Sequence, residues 1–340
     1  MKKIIFIPVY ISVVLCSILI VSCSDNNPVT SQDGPYQFDS SRYEWRTDTL
    51  YSSYVSNLFG FDTSHVFFLG THSLSIYNGA NYSSYAFDDM RFNVIGGIDN
   101  SNIYIGGWYP NGDYRVMKWD GATFTDLPVP SDTATKYGIT GILVQSPNEI
   151  WLGTEGKIFF ANGISFKEYK IDSASVISRI TLNDGILLAS GRRNLKSESE
   201  TYVYKFENST WIKIYSEIIP NNAQPVFPSQ LGNELFGVME EGVFGFNNSG
   251  FMKIINSPSP YKLGGILSGS NENEILAYGY SENYDESSSF TINWNGSKWS
   301  KEFKETGGMY EMKKVGENYY CIVPSYSPFD RALLRIGRKK

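Results

Sequence analysis

The side chains best suited to acid–base work or metal ligation near neutral pH are two histidines, His65 and His72. They stand seven residues apart, with no third ligand at metal spacing and no His-Glu-x-x-His run around either. No metal and no cofactor is therefore expected, and both read as surface or edge residues. No Gly-x-Ser-x-Gly elbow marks a serine nucleophile. Of three cysteines, Cys321 sits in the apolar run Tyr319 to Val323 and reads as a small core residue rather than a reactive thiol. Asp and Glu together number 35, so a carboxylate pair of the glycosidase kind leaves no spacing to find. No catalytic residue is assigned.

Flat aromatics and arginines give the better signal. Four stretches between strand-like runs carry them: Trp108 to Asp113, Arg192 to Glu200, Tyr280 to Ser287 and Pro324 to Asp330. The candidate ligand-binding residues are Trp108, Tyr109, Arg192, Arg193, Tyr280, Tyr284 and Tyr326. Such side chains stack on sugar rings or hold an extended peptide. Aromatics make up 15% of the chain and would populate any loop, so the elements around these residues decide their value.

Those elements repeat. Asn148 to Gly163 reads as a strand over Glu149 to Gly153, a tight turn at Thr154-Glu155-Gly156, a second strand over Lys157 to Ala161 and an Asn162-Gly163 turn. An Asn-Gly pair between strand-like runs predicts a type I′ turn, with positive φ at both central residues. The same turn followed by an aromatic recurs at Asn78-Gly79 with Tyr82, Asp120-Gly121 with Phe124, Glu207-Asn208 with Trp211, Asn247-Asn248 with Phe251 and Asn295-Gly296 with Trp299. With Phe166 after Asn162-Gly163, these aromatics are spaced by 42, 42, 45, 40 and 48 residues, a period suited to four-stranded propeller blades. Seven apolar second strands begin near His65, Asn102, Glu149, Gly185, Glu234, Glu274 and Asn318. Their near-continuous apolar character fits sheets covered on both faces.

The seventh repeat ends after its third strand, Ala332 to Ile336, whereas Arg42 to Thr47 is a strand with no blade of its own. Pairing the two closes the ring and removes a sheet edge. The expected fold is all-β, a seven-bladed β-propeller over residues 42–340, with six blades plus an accessory hairpin as the alternative. The long stretches then fall on the face that joins second to third strands, and the Asn-Gly turns on the other.

The N-terminus carries Lys2-Lys3 and an apolar run from Ile4 to Val21, ending in Ser22-Cys23. This ending resembles the bacterial lipobox, which implies a signal peptide over residues 1–22 and a lipid on Cys23, with the body at the cell envelope, on the outer membrane. Residues 23–41 are polar, with Pro and Gly, and read as a flexible tether of about 23 Å root-mean-square span. Losing the signal moves the formal charge from −6 to −8, a surface that repels nucleic acid and anionic headgroups. A monomer is expected, held to the membrane by its lipid alone.

Asn148-Glu149-Ile150-Trp151-Leu152-Gly153-Thr154 resembles the repeat of two-component-regulator propellers, and Val66 to Thr71 is a weaker copy. Gly106-Gly107 followed by Tyr114 and Trp119 is similar to a kelch repeat. Asp120 to Phe124 is one residue shorter than the Asp-box of sialidases and reads as a plain hairpin turn. These motifs specify a blade rather than an activity. The expected function is a binding or scaffold module for a glycan or an envelope protein. The alternatives are a glycan hydrolase or lyase with acids near the axis, and a structural subunit of an outer-membrane assembly bound through blade edges.

Overall fold

Strand and turn alternate without interruption by helix among the described residues, and each group of four strands pairs antiparallel with its immediate sequence neighbours. The computed structural model describes residues 37–50, 55–130, 137–163, 165–220, 226–247, 249–281, 289–305, 308–324 and 332–340. The expected signal, Cys23, Tyr284 and Tyr326 lie outside them.

The first strand, β1 (Tyr43–Leu50), belongs to no run of four consecutive strands. Blade 1 holds β2 (Val55–Asp62), β3 (His65–Gly70), β4 (Ser73–Tyr77) and β5 (Tyr82–Ala86). Blade 2 holds β6 (Arg91–Gly97), β7 (Ile103–Trp108), β8 (Tyr114–Trp119) and β9 (Phe124–Leu127). Blade 3 holds β10 (Gly141–Ser146), β11 (Glu149–Gly153), β12 (Lys157–Asn162) and β13 (Ser165–Lys170). Blade 4 holds β14 (Ile177–Asn183), β15 (Ile186–Asn194), β16 (Glu198–Glu207) and β17 (Thr210–Pro220). Blade 5 holds β18 (Phe227–Leu231), β19 (Glu234–Met239), β20 (Gly242–Phe246) and β21 (Phe251–Asn256). Blade 6 holds β22 (Tyr261–Asn271), β23 (Glu274–Ser281), β24 (Ser289–Trp294) and β25 (Trp299–Glu305). Blade 7 holds β26 (Glu311–Val315), β27 (Asn318–Pro324) and β28 (Ala332–Lys339), with β1 as its fourth strand.

The first strands of the blades touch in cyclic order, β2 to β6 and onward to β26, which returns to β2. Seven blades, not six, therefore surround the axis. Second strands are the most deeply covered: Val66 to Leu69 and Ile103 to Ile105 have no exposed surface, because each sheet is packed by a neighbour on both faces. Apolar clusters fill the wedges. Trp151 of blade 3, for example, meets Phe206 and Trp211 of blade 4 with centroids at 5.0 and 5.6 Å.

The recurrent turn differs from the expected type I′ hairpin in several blades. Tyr77 pairs with Tyr82, Trp119 with Phe124 and Trp294 with Trp299, which leaves four-residue loops between them. In each, the side-chain oxygen of the first loop residue, Asn78, Asp120 or Asn295, accepts backbone N–H bonds from the third and fourth. The carboxamide or carboxylate thus does the work of a turn, and only the following glycine needs positive φ, +92° at Gly79, +99° at Gly121 and +90° at Gly296. The flanking aromatics stack across the ladder at 4.8, 4.7 and 5.4 Å. A two-residue loop with both φ positive occurs at Asn208-Ser209 in blade 4.

Ring closure follows the expected pairing. β1 and β28 run antiparallel from Tyr43 opposite Lys339 to Leu50 opposite Ala332. The packed unit starts at Gln37 rather than Arg42. The last residues expected to be tether are held on blade 6: the Asp39 N–H bonds the Trp299 carbonyl at 3.0 Å, and Phe38 packs on Tyr261 and Phe290. The Glu302 carboxylate, on β25, gathers the entry to β1. It accepts from Ser41 Oγ (2.7 Å), Arg42 N (3.2 Å), Tyr43 N (3.3 Å), Trp45 Nε1 (3.3 Å) and Ser300 Oγ (2.7 Å).

Candidate functional site

Connections from second to third strands, and from a fourth strand to the next blade, define one face of the ring, here the upper face. Trp108 is the last residue of β7, half-buried and paired with Arg91 and Tyr114, rather than a loop residue. Tyr109 opens the adjoining loop, its N–H bonded to the Asp113 carbonyl at 2.9 Å. The Arg115 guanidinium lies over its ring at 4.8 Å, held there by Asp126 at 2.7 and 3.1 Å. One face of Tyr109 is therefore already occupied.

Arg192 and Arg193 also lie on a strand. The polar stretch around them continues the ladder of β15 and β16, with Arg192 opposite Thr201 and Arg193 opposite Glu200, up to the bend at residues 195–197. Their side chains point to opposite faces of the sheet. Arg193 joins a charge network: its Nε is 2.5 Å from Glu200, whose carboxylate also meets Lys213 at 3.3 Å and accepts from Ser216 at 2.6 Å. Asp172 adds a second acid, 3.3 Å from Lys213 and 3.4 Å from Arg193. With Glu200 at 2% exposure, this network is a fixture of the blade 3–4 wedge, and Arg193 is committed to it.

Arg192 is different. It stacks over the Phe227 ring at 4.7 Å and donates to Asn194 (3.1 Å) and Ser199 (3.2 Å). Among the described residues no carboxylate pairs with it, and burial pushes its guanidinium below the ordinary value. Phe227, at the start of β18, is itself pressed against Gly265 of β22, where a Cβ would come within 3.2 Å of the ring.

Tyr280, on β23, donates to Glu240 at 2.7 Å, and Lys262 Nζ reaches the other oxygen of the same carboxylate at 2.7 Å. Glu240 and Lys262 also line a pocket of 280 Å³ on this face, together with Ser257 and Ser259. The upper face thus brings Arg192, Phe227, Lys262, Glu240 and Tyr280 into an arc over blades 4 to 6. Trp108 and Tyr109 stand apart on blade 2. Glu240, Lys262 and Phe227 carry no mark in the sequence, where isolated charges and a lone Phe have no spacing signal.

The axis holds a second polar group. Glu311 and Lys313, two apart on β26, share one face of that strand. Burial raises the Glu311 carboxyl and lowers the Lys313 amine, and Arg179 of β14 lowers both. Blades 4 and 7 are not neighbours, so Arg179 acts across the ring. An acid-pair enzyme would need a second carboxylate beside Glu311; the charges acting on it are Arg179 and Lys313. His65 bonds Asp62 at 3.0 Å and His72 bonds the Met90 carbonyl at 2.6 Å. Cys321 is fully buried.

No protein-family model matches the chain, and no curated protein matches it in sequence. Solved structures do resemble it in fold. A chain of the mitotic checkpoint complex superposes with a TM-score of 0.56 at 14% identity, over 91% of this chain and 98% of that one. The extracellular domain of a one component system from B. thetaiotaomicron gives 0.58 at 12% identity, over 88% of this chain and 40% of that longer one. BBS1N in complex with ARL6DN gives 0.57 at 13%, over 89% and 98%. At such identities the likeness concerns the fold alone.

Proposed function

We propose that this propeller is a binding or scaffold module that engages a protein partner along the outer edges of blades 4 and 5. The observation that carries the reading is the apolar surface of the two outer strands there. Ile212 and Ile218 of β17 are 42% and 54% exposed, and Met252 and Ile254 of β21 are 59% and 43% exposed. Large apolar groups at this exposure on adjacent edge strands favour association. The upper-face aromatics support a sugar platform less well, since Tyr109 is capped by Arg115 and the Tyr280 hydroxyl is engaged by Glu240. Two of the similar folds are chains of protein complexes, in keeping with this reading.

The module is held at the bacterial envelope by a lipid on Cys23, a reading that rests on the Val21-Ser22-Cys23 ending of the apolar run. Labelling with a palmitate analogue tests it, and a label that persists in Cys23→Ala removes it. For the partner, a photo-crosslinker is placed at position 218, at 254 and, as a control, at the exposed Ser83 of blade 1. A discrete adduct from 218 and 254 alone is expected; adducts of equal yield from all three positions overturn the reading.

A further inference from the structure

The opposite face of the ring carries a pocket at its seam. Its volume is 290 Å³, and its walls come from both ends of the packed chain. On blade 7, Arg46 of β1 lies opposite Ile336 of β28, which lies opposite Tyr320 of β27; two residues further along β28, Arg338 lies opposite Asn318. Because alternate strand residues share a face, Arg46, Arg338, Asn318 and Tyr320 present their side chains together. Blade 1 closes the other side with its turns at Ser64 and Gly79.

The two arginines differ in how they are held. Arg46 donates to the Tyr77 hydroxyl at 2.5 Å and pairs with Asp48 at 3.3 Å, and Asp48 also accepts from Tyr82 at 3.0 Å. Its guanidinium is therefore positioned by the protein and half neutralised. Arg338 has no such support. Among the described residues no carboxylate pairs with it, Glu44 opposite it on β1 included. Burial raises the Tyr320 phenol above its ordinary value, while Asn318 and the charges of Arg46 and Arg338 oppose that rise. Both cations thus act at one point in the pocket. In a chain of net charge −6, a concave site with a surplus cation and hydroxyl and amide donors stands out.

We propose that this seam pocket binds the oxyanion group of a small polar ligand, with Arg338 as the principal charge, Arg46 as a fixed second donor, and Asn318 and Tyr320 as neutral hydrogen-bond partners. The volume exceeds that of a bare oxyanion and accommodates a sugar-sized body attached to one. A carboxylate and a phosphate present the same chemistry to paired guanidiniums, so the two sources are separated by experiment. The site is independent of the blade 4–5 edge.

The test is calorimetric titration of the purified full chain with glucuronate, glucose 6-phosphate, inorganic phosphate and, as the neutral control, glucose. Saturable binding of at least one anion, with none for glucose, is expected. Arg338→Gln should weaken that binding at least tenfold without moving the melting temperature, and Arg338→Lys should fall between the two. The tighter of glucuronate and glucose 6-phosphate identifies carboxylate or phosphate as the source. The proposal fails if no anion saturates, if glucose binds as tightly, or if Arg338→Gln binds the anions unchanged.

Discussion

Glu302 shows how much a single carboxylate can organise. It is 9% exposed, and four of its five donors come from β1 and the segment that leads into it. Replacing it with Ala takes this acceptor from the Arg42 and Tyr43 N–H groups and the Trp45 indole N–H, while the Ser41 and Ser300 hydroxyls keep the Tyr43 and Asn293 carbonyls, so Glu302→Ala should cost about 3 kcal/mol. The urea midpoint of unfolding measures this, and an unchanged midpoint would show that water replaces the carboxylate. Glu200 and Glu274 predict acid sensitivity. Burial works to raise both, but Ser216, Lys213 and Arg193 around Glu200, and Lys314 and Tyr43 around Glu274, bring them below their ordinary 4.5. A carboxylate depressed in the folded state stabilises above its unfolded value and loses that contribution as pH falls through the folded one. Melting temperature should therefore hold at neutral pH and drop progressively below about pH 4.5. Glu200→Gln should flatten part of that drop, and a slope identical to the parent's would exclude Glu200 as a source.

At the scale of the strand and turn, the sequence is readable where burial sets the pattern. The seven second strands show as apolar runs because both of their faces are covered, and β1 shows because an aromatic strand without a partner has nowhere else to go. The Asn-Gly turns can be located from their residues, but their geometry cannot. Whether Asn78 takes positive φ itself or caps a four-residue loop with its side chain depends on the Tyr77–Tyr82 register, a tertiary fact. The same limit applies to Arg192 and Arg193. Arg192 to Glu200 is polar enough to read as a loop, yet its ladder persists because Glu200 has Arg193, Lys213 and Ser216 to satisfy it. The second glycine of Gly106-Gly107 has a steric origin instead: a Cβ on Gly107 would lie 1.9 Å from the Arg91 carbonyl oxygen of β6. Gly107→Ala should thus cost about 3 kcal/mol, whereas Gly308→Ala, with nothing within 4 Å of its Cβ, should be close to neutral. Equal midpoints for the two variants would refute the steric account.

For the whole molecule, the seam between blades 7 and 1 is where ring closure, the first and last strands of the packed unit and the oxyanion pocket coincide. Deleting residues 37–50 leaves β28 as an uncovered edge and blade 7 with three strands. Such a chain is expected to unfold in a broad rather than a cooperative transition and to self-associate through β28, as seen by light scattering. A sharp transition from a monomer would mean that the ring closes without β1. The face that joins second to third strands follows from the order of the repeats, but the residues gathered on it do not. The arc on blades 4 to 6 depends on Phe227 reaching Gly265 and on Glu240 bridging Lys262 and Tyr280, contacts between blades that no single repeat encodes.

The pairing of β1 with β28 also sets a timetable for biosynthesis. Of all strands in the ring, the first to be made must wait for the last, and at ribosomal speeds of roughly 5–20 residues per second that delay runs to about 15–60 s. Throughout it, Tyr43 and Trp45 have no β28 to pair with, and the other strands can assemble no more than an open arc. A circular permutant in which residues 37–50 follow Lys340 removes the wait while keeping every native pair. Because β1 and β28 then lie close in sequence, it should also refold faster from denaturant than the parent, with the same final stability.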